Sequence, residues 1–276
     1  MRRRALLATV GSTVPASLAG CALLGPEREV GAGDVVELDA GEVTLGELSV
    51  QSSFVDDTTA PAAVHGDAGT AYVVLDCDLR AYDARIEDLP LAVERGADRL
   101  AGAAGALASG AGDGQPRIAF PVPAGDALDG FDAPSTTTGG DSGSAWRVVL
   151  TDADDRERRY PLDRALQRRL RSPPAWRVAV DPPDTVPEAG TARAWATATN
   201  AGDTPGRLAA LLTHDAATDL YWTHEFDADV GDESTFGFRF GCLCGDRDEL
   251  ELTLDWGLNS LTRTISIESD DETTTD

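Results

Sequence analysis

Thiols and imidazoles are the residues of this 276-residue chain whose types could carry chemistry. They are Cys21, Cys77, Cys242 and Cys244, with His65, His214 and His224. Cys242 and Cys244 continue the alternation of Phe236, Phe238 and Phe240, so a strand reaching that far would turn both thiols inward. A disulfide between them would close a tight, strained and redox-active ring. A bridge from Cys77 would have to join the two halves of the chain, and reduced, buried thiols would act as small apolar residues. Zinc asks for four ligands, and one C-x-C with scattered histidines supplies no recognisable set. His214 and His224 flank the segment Asp215 to Asp219, read as a hairpin turn, and lack the H-E-x-x-H spacing, so surface or sheet-face positions are expected for them. The acidic runs Asp152-Ala153-Asp154-Asp155 and Asp227 to Glu233 lack the fixed glycine and terminal glutamate of a calcium loop. With no glycine loop for phosphate and no dinucleotide fingerprint, no cofactor is expected. A redox or metal-handling role for Cys242 and Cys244 stays open beside a non-enzymatic one.

Gly140-Asp141-Ser142-Gly143-Ser144 resembles the nucleophile loop of chymotrypsin-like proteases, and Ala62-Ala63-Val64-His65 is similar to the segment around their histidine. That chemistry would use His65 as base, a buried Asp such as Asp98 to orient it, and Ser142 as nucleophile. Only 77 residues separate His65 from Ser142, too few for the two barrels that build such a site, and the Ser142 neighbourhood is Thr-, Gly- and Ser-rich. A serine hydrolase using Ser142 is therefore a remote alternative, and no enzyme activity is expected.

The formal net charge is -25, and all 23 basic residues are arginine. Acidic, lysine-free chains resemble those of extreme halophiles, where carboxylates hold a hydration shell and salt screens their repulsion. Nucleic acid is disfavoured as a partner, because neutralising phosphates takes clustered cations. One region breaks the pattern: Arg156, Arg158, Arg159, Arg164, Arg168, Arg169 and Arg171. Leu162, Ala165, Leu166 and Leu170 sit among them at helical spacing, which predicts a short helix near 162–170. Its arginines are expected to pair with nearby carboxylates, an anionic headgroup or polysaccharide being the functional alternative.

The chain opens with Arg2-Arg3-Arg4, a short uncharged stretch, and Leu18-Ala19-Gly20-Cys21. Arg3 and Arg4 ahead of Leu6-Leu7 look like a twin-arginine export signal, and the apolar run is too short to span a bilayer. Leu18 to Cys21 resembles the lipobox of exported lipoproteins. That resemblance implies lipidation of Cys21, membrane attachment through the lipid, and a location on the extracellular face of the cell membrane.

Beyond a tether over 22–34, period-two alternation marks strands. Val73, Leu75, Cys77 and Leu79 share one face, as do Trp146, Val148 and Leu150, and Leu250, Leu252, Leu254 and Trp256. Strands are expected near Leu48, Val73, Leu91, Ile118 and Val148, with loops over Ala101 to Gly114 and Ala133 to Ser144. Ser172-Pro173-Pro174 marks a boundary, since consecutive prolines cannot continue a helix. Seven further strands are expected from near Trp176, Ala192, Leu208, Leu220, Thr235, Leu250 and Leu261, the pattern of an immunoglobulin-like sandwich.

Ala194 to Asp203 resembles the "V-x-V-x-N-x-G-D" element of bacterial and archaeal cell-adhesion-related sandwich domains. Val230 to Phe236 is similar to their later "x-G-E-S-x-x-x-F" turn, with one residue inserted. The resemblance covers about 175–268 and implies an extracellular interaction or spacer module; Cys242 and Cys244 depart from it.

The expected architecture is all-β. Two tandem antiparallel immunoglobulin-like sandwiches, at 35–171 and 174–269, follow a signal peptide (1–21) and tether, with an acidic disordered tail at 270–276. The expected role is a lipid-anchored ectodomain that binds protein or glycan partners at the cell surface.

Overall fold

The computed structural model describes residues 27–56, 61–83, 89–96, 98–101, 107–109, 116–125, 145–243 and 247–268. The first half of the described chain carries twelve strands, ten of which build its pair of sheets. The twelve are β1 (Glu27–Glu29), β2 (Val35–Leu38), β3 (Gly41–Gln51), β4 (Phe54–Asp56), β5 (Ala63–His65), β6 (Thr70–Tyr82), β7 (Leu91–Arg95), β8 (Asp98–Ala101), β9 (Leu107–Ser109), β10 (Pro116–Pro123), β11 (Trp146–Thr151) and β12 (Glu157–Pro161). One five-stranded sheet runs β2-β3-β6-β10-β9 and the other β1-β12-β11-β7-β8, with β4-β5 a separate hairpin. Val43, Leu45, Val73, Leu75, Cys77 and Phe120 of the first sheet meet Val93, Trp146, Val148 and Leu150 of the second in one apolar core. The alternation at 73–79 and 146–150 thus does what period two requires, up to half-buried Leu79 at its edge.

The segment expected as a tether carries β1, which pairs parallel with β12 (Glu27 beside Glu157), so the ordered unit begins earlier than 35. The Ala- and Gly-rich stretch from Ala101 likewise holds β9 and the last residue of β8; 133–144 lies outside the described residues. The acidic run 152–155 is the β11–β12 turn. Asp152 Oδ1 accepts from the backbone N–H of Asp154 at 3.0 Å and of Arg156 at 2.8 Å, and Asp155 takes a positive φ of 60°.

Helix α1 (Arg164–Arg171) starts two residues later than expected because Asp163 caps it, its Oδ1 accepting from Leu166 N–H at 2.8 Å. Leu162 and Leu170 pin the helix to the first core. Pro173 and Pro174 follow its cap, Ser172.

The second pair of sheets uses β13 (Trp176–Asp181), β14 (Thr185–Pro187), β15 (Ala189–Asn200), β16 (Gly206–His214), β17 (Ala217–Ala228), β18 (Glu233–Leu243), β19 (Glu249–Asp255) and β20 (Ser260–Glu268). All seven expected strands are present; β14 is additional, a three-residue edge too short to show a period. The orders are β13-β15-β18 and β14-β20-β19-β16-β17. The core takes Ala194, Ala196, Phe236, Phe238 and Phe240 from one sheet and Leu208, Leu212, Leu250, Leu252 and Leu254 from the other.

Asn200 explains the sequence signature at 194–203. It is fully buried; its Nδ2 donates to the carbonyls of Thr204 and Ala228, and its Oδ1 accepts from Gly202 N–H. Its backbone C=O accepts from Gly231 N–H and its N–H donates to Asp232 C=O, so the two motif segments are one structural unit. Gly231 adopts φ +81°, which favours glycine.

Candidate functional site: the unit junction and the arginine face of α1

Strand β16 reads Leu208-Ala209-Ala210-Leu211-Leu212 without alternation, because both of its faces are covered. Leu208, Ala210 and Leu212 face their own core, whereas Ala209 and Leu211 pack on Val55 and Ala62 of the β4-β5 hairpin. The hairpin is in turn seated on the outer face of the first sheet through Phe54, Tyr72, Val74 and Ala119. Ser53 Oγ donates to the carbonyl of Ala209 at 3.4 Å. Gly66 and Gly257 meet backbone to backbone: a Cβ on Gly66 would lie 2.8 Å from Gly257 Cα.

Charge completes the junction. Arg117 of β10 donates through Nη1 to both carboxylate oxygens of Glu225 on β17, at 2.8 and 2.6 Å. Both side chains are more than nine-tenths buried. Asp76 lies 3.5 Å from Arg117 Nε, and Arg207 binds Asp227 at 2.9 Å. Burial pushes the Glu225 carboxyl up, outweighing the pull of Arg117 and Arg207. Burial also raises Asp76, against the same two guanidinium groups.

The cationic cluster divides into two parts. Arg156 pairs with Asp154, Arg158 with Asp152, and Arg159 with Glu157, as expected. Arg164, Arg168, Arg169 and Arg171 of α1 have no carboxylate partner among the described residues. Arg164, Gln167, Arg168 and Arg171 line a cavity of about 400 Å³. A second cavity of about 280 Å³, lined by Arg28, Asp34, Glu37, Asp152, Asp154 and Arg158, is of mixed sign.

The residues singled out for chemistry do not converge. Cys21, Arg3, Arg4, Ser142 and Cys244 lie outside the described residues, as do the side chains of Asp98 and Cys242. Cys77 is a buried free thiol in the first core, its pKa pushed up to about 12 by burial and the Asp76 carboxylate. His65 stacks on Phe54 and stands 3.8 Å from the buried Asp56 carboxylate, so Asp56 is the described acid beside it. Among the described residues, no three His, Cys, Asp or Glu side chains gather as a metal cluster.

On neighbouring strands, His214 is buried in the core, not on the surface, and His224 is half-buried against it. His214 stacks on Trp222, and His224 lies against Phe236 at 4.2 Å. Burial pushes both below their ordinary value. The exposed indole of Trp195 covers Gly237 on the neighbouring strand, where a Cβ would come within 2.9 Å of the ring.

No family model matches the chain, and no curated protein matches it. Among solved structures, a β-glucosidase from Listeria innocua in complex with glucose aligns at TM-score 0.31 and 8% identity, over 34% of this chain and 16% of that one. The β-glucosidase EmGH1 from Erythrobacter marinus aligns at TM-score 0.28 and 13% identity, over 36% and 16%. This chain therefore spans 16% of each of those enzymes' lengths, and overlaps of this quality carry no argument about fold or activity.

Proposed function

We propose that the protein is a lipid-anchored, non-enzymatic ectodomain, held at the outer face of the membrane through Cys21, that binds protein or glycan partners at the cell surface. The observation that carries this reading is the sealed junction. Arg117–Glu225, the β4-β5 hairpin and the Gly66–Gly257 approach fix two all-β units in one orientation, as a presenting scaffold requires. In this reading both units are immunoglobulin-like. In each, a short strand pairs parallel with the last strand, β1 with β12 and β14 with β20. The orders β3-β6-β10-β9 with β12-β11-β7-β8, and β13-β15-β18 with β20-β19-β16-β17, then correspond strand for strand over most of their length. Twin-arginine export would deliver the chain folded into a salt-rich exterior, to which its lysine-free acidity is suited. Two results are expected together. Cys21→Ser leaves the protein unprocessed or releases it to the medium, and the wild-type protein solubilised in high salt carries a bound surface component. Wild-type protein found in the medium at full processing would end the anchoring reading.

One observation favours a second reading, a redox or metal-handling protein. His214 is buried, its ring nitrogens make no well-formed hydrogen bond among the described residues although the Gly241 carbonyl lies near, and it packs 6.0 Å from the ring of Phe240, two residues before Cys242. A thiol count with and without reductant, joined to metal analysis, decides it: three free thiols and no metal remove it.

A further inference from the structure

We infer that the exposed face of α1 is a binding site for an anionic polysaccharide, one whose carboxylate or sulfate groups repeat along its length. The inference stands on the helix alone and does not require the anchoring reading.

In a chain with 48 acidic and 23 basic residues, a guanidinium finds a carboxylate easily. Arg80, Arg99, Arg147, Arg207 and Arg247 all do so. Arg28, Arg177, Arg193, Arg239 and Arg263 also lack one among the described residues, but they are spread over five strands, whereas α1 gathers four such arginines in eight residues, three of them lining one cavity. Local helix energetics explain them only in part. Arg168, Arg169 and Arg171 lie in the last turn, where cations suit the helix dipole, whereas Arg164 opens the first turn, where a cation opposes it beside the Asp163 cap. Arg164 and Arg168 are also like charges four residues apart, a repulsive spacing. Like charges held this close, with no carboxylate pairing them among the described residues, point to an external ligand.

The geometry selects the kind of anion. Arg164, Arg168 and Arg171 lie at i, i+4 and i+7, so they form one face about 10 Å long. That is too spread for a single phosphate or sulfate and matches charge repeated along a chain. Each planar guanidinium fork can bind a carboxylate or sulfate with two parallel N–H donors. The described lining of the cavity offers only Arg164, Gln167, Arg168 and Arg171. It has no aromatic residue to stack a nucleobase and no apolar anchor of the kind that dominates protein interfaces. Anionic headgroups of a membrane are the other source of such charge, and the test separates them from a polysaccharide.

The test uses the full chain in detergent at one fixed salt concentration, with dextran sulfate as probe and neutral dextran as reference. Wild-type protein should bind dextran sulfate and not dextran. Arg164→Gln/Arg168→Gln/Arg171→Gln should weaken binding at least tenfold with an unchanged circular dichroism spectrum. A charge-matched control, Arg80→Gln/Arg177→Gln/Arg263→Gln, should bind as wild type. Arg168→Glu, a single change in the middle of the face, should weaken binding on its own. The inference is overturned if wild-type protein does not prefer dextran sulfate, if the α1 variant binds undiminished, or if the control loses as much. It is equally overturned if anionic phospholipid vesicles bind through these arginines while dextran sulfate does not.

Discussion

Arg117 and Glu225, 108 residues apart in the chain, face each other in a doubly hydrogen-bonded ion pair with both side chains buried between the two units. Burying two charges is unfavourable unless each is held by the other, so this pair favours one arrangement of the units over its alternatives. The continuous apolar run of β16 belongs to the same device, giving one face to its own core and one to the β4-β5 hairpin.

Removing one partner should therefore be severe. Arg117→Ala leaves the buried Glu225 carboxylate without its hydrogen-bonded partner, and a loss of about 3–5 kcal/mol is expected in urea denaturation. Arg117→Met/Glu225→Leu should recover most of it. Because burial raises Glu225 in the folded state, its charged form opposes folding, and the deficit of Arg117→Ala should grow as pH rises above about 4.5, the ordinary glutamate value. A deficit that does not change with pH would place the loss elsewhere.

The glycine contact separates backbone strain from close packing. Gly257 has φ +87° and a Cβ there would lie 2.8 Å from Ser53 Cβ, whereas Gly231 has φ +81° with open space around it. Gly231→Ala should cost about 1 kcal/mol, from left-handed strain alone. Gly257→Ala should cost about 2–4 kcal/mol, because overpacking across the junction adds to that strain. Equal shifts in Tm would show that the two units do not press together at Gly257.

His214 and His224 titrate below their ordinary value of 6.5, burial being the main cause; at His214, Asp215 and the Gly241 carbonyl oppose it and Arg247 reinforces it. Their neutral forms are favoured by the fold. The stability they lend is complete above about pH 6.5 and is lost as pH falls below it toward the folded values, by at most about 1.4 kcal/mol per pH unit for each proton. His214→Phe should flatten that slope in a denaturation series across pH. An unchanged slope would mean that His214 is not the group responsible.

Cys77, with its thiol pushed up to about 12, should resist alkylation in the native protein at about pH 8 and react fully in denaturant. Mass spectrometry of labelled peptides reads this directly; native labelling at Cys77 would contradict its place in the core.

Much of the fold is legible in the sequence, and the reasons are specific. Leu250, Leu252 and Leu254 alternate with residues that face out, and the inward set is buried as period two requires. The Asn200 signature is readable because one amide side chain closes two turns at once. What stays hidden has physical causes as well. Strands β1, β4, β5 and β14 are three residues each and show no period. Tyr72 and Val74, on the face opposite Val73, are buried by a hairpin that no local pattern announces. The junction pair cannot be read in advance, since Arg117 and Glu225 look like ordinary exposed charges until the units meet. The arginine cluster was visible as composition, but only the fold divides it into paired β12 arginines and the unpaired face of α1.

The most direct measurement of the central claim is surface crosslinking of intact cells in high salt, followed by detergent solubilisation and capture of this protein through an affinity tag. The account predicts a membrane-associated product carrying a crosslinked surface protein or glycan in constant proportion, with lipid on Cys21. A monomer recovered without any crosslinked component, or without lipid at Cys21, would contradict it.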